Sequence, residues 1–122
     1  MANEKPADVM IQDTAGRCIG KGLMADDWKI IHFPKVLLRF CYCAGKPDET
    51  VGQLKSLLAG KAGKAAVSVF IGKNAFRDLL VTDCGFSVDK LDGSGSPILN
   101  RIMVQAESNR ATTKGDMEEM YP

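Results

Sequence analysis

The chain has 122 residues and a formal net charge of +1, from 16 basic and 15 acidic side chains. That length fits one domain with a core large enough to fold without a metal or disulfide staple. The near-zero charge excludes a global electrostatic drive toward nucleic acid or an anionic membrane and leaves only a local basic patch open.

Hydrophobic and charged contents of 45% and 25% are those of an ordinary globular chain. No apolar run approaches the ~20 residues of a membrane span. The opening Met1-Ala2-Asn3-Glu4-Lys5-Pro6-Ala7-Asp8 is polar and lacks an apolar signal core, so folding in the cytoplasm is expected.

Residues 1–8 read as a flexible arm. Val9-Met10-Ile11 is a short strand, and Asp13-Thr14-Ala15-Gly16 has the Asp-first, Gly-last form favoured in type I turns. Arg17-Cys18-Ile19 is the return strand, which Gly20-Lys21-Gly22 is expected to break. Residues 23–33 are ambiguous. Asp26-Asp27-Trp28 could open a helical turn, whereas Ile30, Ile31 and the following Pro34 favour extended backbone; a strand or loop is expected. Residues 36–43 form a strand. Val36, Leu38, Phe40 and Tyr42 point one way, and Leu37, Arg39, Cys41 and Cys43 the other. Both faces are mostly apolar, which places this strand centrally or against another subunit.

A helix is expected over 50–59, capped by Asp48 and opened by Glu49. Val51, Leu54 and Leu58 set its apolar stripe, which Leu57 widens. Gly52 costs it ~1 kcal/mol relative to alanine, and Gly60 or Gly63 can end it beside Lys61 and Lys64. Val67, Val69 and Ile71 alternate in a strand over 66–71, followed by a tight turn at Gly72-Lys73-Asn74. A long strand over 76–88 has Leu80, Thr82, Cys84, Phe86 and Val88 on one face. Leu79, Val81, Asp83, Gly85 and Ser87 lie on the other, with Gly85 marking a bulge or a close backbone approach. A turn at Asp92-Gly93-Ser94-Gly95-Ser96-Pro97 leads to a last alternating strand over 98–106.

The expected fold is therefore α+β. It is a hairpin-rich antiparallel β-sheet, sandwich or barrel-like, with one packed α-helix. The single domain covers 9–107. Its core draws on Leu54, Leu58, Val69, Leu80, Phe86, Ile102 and Val104. Residues 108–122 are polar and unpatterned, a flexible tail that only a partner would order.

Catalytic motifs do not emerge. The segment 16–22 has three residues where a phosphate-binding loop needs four, and Gly22 stands where that loop needs Ser or Thr. His32 is the only histidine, and nothing in the sequence sets it beside a cysteine as a nucleophile's base. The Asp26-Asp27 and Glu118-Glu119 pairs are sequence neighbours and do not face each other across a cleft. The basic segment 60–64 lacks the aromatics that stack on nucleic-acid bases. The reading is a non-enzyme with no cofactor and no metal. Cys18, Cys41, Cys43 and Cys84 lack the spacing of common zinc modules. They are either buried reduced thiols or disulfide partners formed after leaving the cytoplasm. Cys41 and Cys43 share a strand face, so any bond they make goes to Cys18, to Cys84 or to another subunit.

From Lys46 to Glu107 the pattern resembles the small tail proteins of contractile-tailed bacteriophages and related injection machines. The resemblance rests on the 50–59 helix, the hairpin from Phe70-Ile71-Gly72 to Phe76 and the long strand over 79–89. The Asp92 to Pro97 turn and the strand over 98–107 complete it. It implies a structural virion protein that assembles in the host cytoplasm into rings, commonly sixfold, which form or cap the tail tube through which DNA passes. Implied partners are further copies and neighbouring sheath, tube or baseplate proteins, without specific nucleic-acid binding or membrane contact. The candidate subunit-interface residues are Val36, Leu37, Arg39, Leu79, Val81, Leu99 and Met103. The alternative is a monomeric cytosolic binding or adaptor module.

Overall fold

A computed structural model describes residues 8–24, 28–31, 35–44, 47–62, 66–95 and 97–121. The strands are β1 (Asp8–Gln12), β2 (Cys18–Met24), β3 (Lys29–Ile31), β4 (Leu37–Ala44), β5 (Val67–Ile71), β6 (Asn74–Leu91) and β7 (Pro97–Ser108); the helices are α1 (Pro47–Ala62) and α2 (Lys114–Met120). The strands make one antiparallel sheet in the order β2-β1-β5-β6-β7-β4-β3. Leu23 and Met24 of β2 also pair with Cys43 and Tyr42 of β4. That extra ladder closes the sheet on itself, so the α+β fold is a barrel rather than a sandwich. β3 pairs with the first part of β4, Ile31 opposite Leu37 and Lys29 opposite Arg39, on the edge that β2 takes further along.

Two glycines make the closure sterically feasible. A Cβ on Gly22 would collide with the Cys43 carbonyl oxygen, and one on Gly20 would lie 2.7 Å from the Tyr42 hydroxyl. Gly20-Lys21-Gly22 therefore does not break the return strand; it lets β2 continue to Met24 against β4. Two loops use the same local chemistry. Asp13 accepts hydrogen bonds from the Ala15 and Arg17 amides at 2.9 Å, with Gly16 at φ 83°. Asp92 accepts from the Ser94 amide at 2.8 Å, with Gly95 at φ 88°. At the β5–β6 turn, Gly72 supplies the positive φ.

Inside the barrel, Leu38, Phe40, Tyr42 and Ala44 face Ala106, Val104, Ile102 and Asn100 across the β4–β7 ladder, and all eight are buried. Val9, Ile11, Val67, Val69, Ile71, Phe76, Leu79 and Val81 complete the wall. Trp28 packs edge-on against Phe76, with ring centroids 5.2 Å apart.

The long β6 departs from plain alternation. Phe76 points inward, and a bulge around Asp78 (φ 61°) then makes Leu79 the next inward residue. A second bulge leaves Thr82 without an opposite number between Val81↔Ala106 and Asp83↔Gln105. Cys84, Phe86 and Val88 thereby return to the inward phase. The expected core is corrected here: Val69, Ile102 and Val104 are buried, Leu80 is half-buried on the outer face, and Phe86 is exposed although its rung partner Ile102 is buried, on the part of β6 beyond its last pairing with β5. Gly85 is neither a bulge nor a close approach, since a Cβ there would meet nothing within 4 Å.

Helix α1 starts at Pro47 with Asp48 and Glu49 in its first turn. It extends beyond the expected 50–59 and carries Gly60 inside it; Gly63 and Lys64 lie outside the described residues. Its buried line runs through Thr50 and Leu57 with Gln53 and Leu54 half-buried, whereas Val51 and Leu58 are exposed. The cause is polar. Gln53 Oε1 accepts from the Tyr42 hydroxyl at 2.8 Å and from the Lys21 amide at 3.2 Å, which turns that side of the helix to the barrel.

The chain ends correct another expectation. Asp8 already belongs to β1, while residues 1–7 lie outside the described residues. Ser108 ends β7, and the supposed tail contains α2. Thr113 caps α2 in a capping box with Asp116, Met120 is buried, and the Asn74 side-chain amide donates to the Met120 carbonyl oxygen. Scattered polar residues hid a helix held by caps and ion pairs rather than by an apolar stripe.

Candidate functional site

The alternation of β4 leaves Leu37, Arg39, Cys41 and Cys43 on the outer face of the barrel. Across the ladders this face is arranged in rows. Ile31, Leu37, Glu107 and Leu80 form one, and Lys29, Arg39, Gln105 and Asp83 the next. Cys41, Met103 and Gly85 form a third. Leu23, Cys43, Arg101 and Ser87 form the fourth. Ile31 and Leu37, side by side, are 58% and 40% exposed. The Arg39 guanidinium contacts the Met103 sulfur at 3.5 Å.

Of the candidate interface residues, Leu37, Arg39 and Met103 are together on this outer face. Val36, Leu79 and Val81 are not available to a partner. Val36 is buried with its amide donating to Ser108 Oγ, and Leu79 and Val81 are turned into the core by the bulge at Asp78. Leu99 lies in β7 opposite Lys90. The sequence reading missed Ile31, Phe86, Val88 and Leu91, all exposed. For Phe86, Val88 and Leu91 the signal was strand length, since β6 runs far past the five residues of β5.

The far half of β6 is the second notable region. β5 pairs with β6 only as far as Leu79, and beyond it β7 is the sole strand partner among the described residues. Phe86, Val88 and Leu91 are exposed along this half. Val51 and Leu58 add exposed apolar side chains on α1, which lies beside β6.

All four cysteines are thiols in the single chain. Cys41 and Cys43 share the outer face as expected, Cys84 packs toward the core, and Cys18 begins β2. Cys18 and Cys43 both line an open groove of about 890 Å³ between α1 and the β1–β2 hairpin, together with Lys21, Glu49 and Gln53. Burial, with smaller contributions from Cys18 and Cys84, raises the Tyr42 hydroxyl above the ordinary tyrosine range, so it remains the proton donor to Gln53. His32 and the Asp26-Asp27 pair lie outside the described residues. The segment 16–22, compared above with a phosphate loop, is a turn followed by a strand. Among the described residues no group of three or more His, Cys, Asp or Glu side chains is placed to hold a metal ion. Among the described residues no helix is long and apolar enough to cross a membrane. No protein-family model matches the chain, and no match was found among curated proteins.

Proposed function

We propose that this chain is a structural subunit of a phage tail or related injection machine, a non-enzyme that assembles into rings forming or capping the tube through which DNA passes. The reading places it in the virion, beside sheath, tube or baseplate proteins. The observation that supports it is the far half of β6, which carries exposed Phe86, Val88 and Leu91 and has a strand partner on one side only among the described residues. Monomeric proteins blunt such edges with charge, proline or a covering element. From Leu80 to Leu91 this strand carries three charged residues, Asp83, Asp89 and Lys90, and none of them lies between Cys84 and Val88. Helix α1 lies beside β6 yet leaves Phe86, Val88 and Leu91 exposed; assembly covers them by supplying a neighbour. The +1 net charge also suits a conduit, because weak phosphate attraction lets DNA slide.

Light scattering after size exclusion, with negative-stain imaging of the full chain, tests the reading. Rings or short tubes are expected, and Phe86→Ser should weaken them while leaving the thermal melt within a few degrees. A compact monomer at high concentration would overturn the proposal in favour of a binding or adaptor module.

A further inference from the structure

Lys29 and Arg39 stand directly opposite each other across the β3–β4 ladder. Like charges so placed destabilise an antiparallel pair. Nothing among the described residues offsets them with an ion pair: Gln105 faces Arg39 from β7, and Glu107, one pair further along the same face, bridges to neither cation. Beside the cations lie exposed Ile31 and Leu37. This small face therefore fits an occupant that brings a carboxylate and apolar surface together.

Helix α2 presents that combination. It is pinned to its own barrel by one set of contacts, with Asp116 bound to Arg110, Glu119 to Arg77 and Met120 buried. Its remaining side carries Met117 and Tyr121, one turn apart and exposed, with exposed Glu118 between them. Glu118 makes no ion pair among the described residues, not even with Lys114 one turn earlier. A carboxylate flanked by a thioether and an aromatic ring complements two cations flanked by two aliphatic side chains.

We infer that neighbouring copies join through α2 of one against the outer face of β3 and β4 of the next, Glu118 meeting Lys29 and Arg39. The inference rests on the assembly reading above and assigns its lateral contact. The two surfaces differ, so the contact is head-to-tail: it closes into a ring or runs on as a filament, and it does not produce a twofold dimer.

Sedimentation velocity of the full chain, comparing wild type with Arg39→Glu, Glu118→Arg and the combined reversal, tests it. Each single reversal should raise the subunit dissociation constant by about tenfold or more, and the double reversal should restore most of the loss. Assemblies indifferent to either reversal, or single losses that the double does not repair, overturn the α2 contact while leaving the assembly reading in place. A wild-type chain that stays monomeric overturns both. Should a charge reversal lower the melting temperature, Met117→Ser replaces it as the probe; unchanged affinity in that variant counts against the contact, and weakened affinity supports it.

Discussion

β4 and β6 both border β7, yet they obey different rules. In β4 every second residue from Leu38 to Ala44 is buried, and the register to β7 runs without a break from Leu37↔Glu107 to Ala44↔Asn100. In β6 the inward phase changes at Asp78 and again at Thr82, and the strand then continues past the core to Leu91. The same residue type has opposite fates on the two strands: Phe40 is 1% exposed and Phe86 47%. Period-two patterning gives burial only while the ladder stays in register and a strand flanks it on both sides, which β6, among the described residues, loses beyond Leu79.

Shortening each strand by one residue should break this comparison most sharply. Deleting Cys41 from β4 reverses the phase of Tyr42 and Ala44, both buried, and should abolish cooperative folding. Deleting Thr82 removes the unopposed residue and leaves Val81, Asp83 and Cys84 as inward, outward, inward, each with its present β7 partner. Its cost should be about 1 kcal/mol or less, much of it the lost hydrogen bond from Thr82 Oγ1 to the Gln105 carbonyl oxygen. Urea melts measure both. A Thr82 deletion as damaging as that of Cys41 would show that the bulge is required rather than tolerated.

The same contrast explains what was legible in the sequence. Strand β4 and the two Asp-first turns were readable because each depends on neighbours in the chain, alternation in one case and an Asx side chain in the other; the α1 start was misplaced, since Pro47 opens the helix and Asp48, expected to cap it, lies within its first turn. The bulges at Asp78 and Thr82 were not, since neither is a glycine and the one glycine in the strand, Gly85, has open space around it. The roles of Gly20 and Gly22 depend on Tyr42, which only barrel closure brings to them. On the candidate assembly surface, Leu37, Arg39 and Met103 followed from alternation. Their partners Ile31 and Lys29 required knowing that β3 pairs with β4.

Helix α1 sharpens the point with a smaller effect. Its four apolar positions were readable, but its rotation was set by Gln53 reaching Tyr42 and Lys21. Leu57→Ala should cost about 2–5 kcal/mol and Leu58→Ala no more than about 0.5 kcal/mol, because the first is fully buried and the second exposed. Equal losses in chemical melts would mean that the helix sits in another rotation.

The smallest expected effect lies where α2 meets the first bulge of β6. Arg110 binds Asp116 through two hydrogen bonds, at 2.6 and 2.9 Å, and reaches Asp78 Oδ2 at 3.1 Å. These bonds, together with the Thr113 amide, hold the Asp116 carboxyl at about 2, below its ordinary 3.8. A carboxylate whose pKa is lower folded than unfolded stabilises the folded state fully above the unfolded value, and the contribution disappears as pH falls through the folded value. The α2 clamp should therefore weaken between about pH 4 and pH 2. Protonation removes both the Arg110 partner and half of the capping box, while the buried face of the β4–β7 ladder, which holds no carboxylate, keeps its contacts. In methyl NMR the Met120 signal should move over that interval ahead of the signals from Leu38 and Val104. Asp116→Asn should show the displaced Met120 environment at neutral pH, with the acid step lost. A Met120 signal that stays fixed down to pH 2 in the wild type, or one that moves together with Leu38, would show that α2 is held by its buried methionine and not by the Asp116–Arg110 pair.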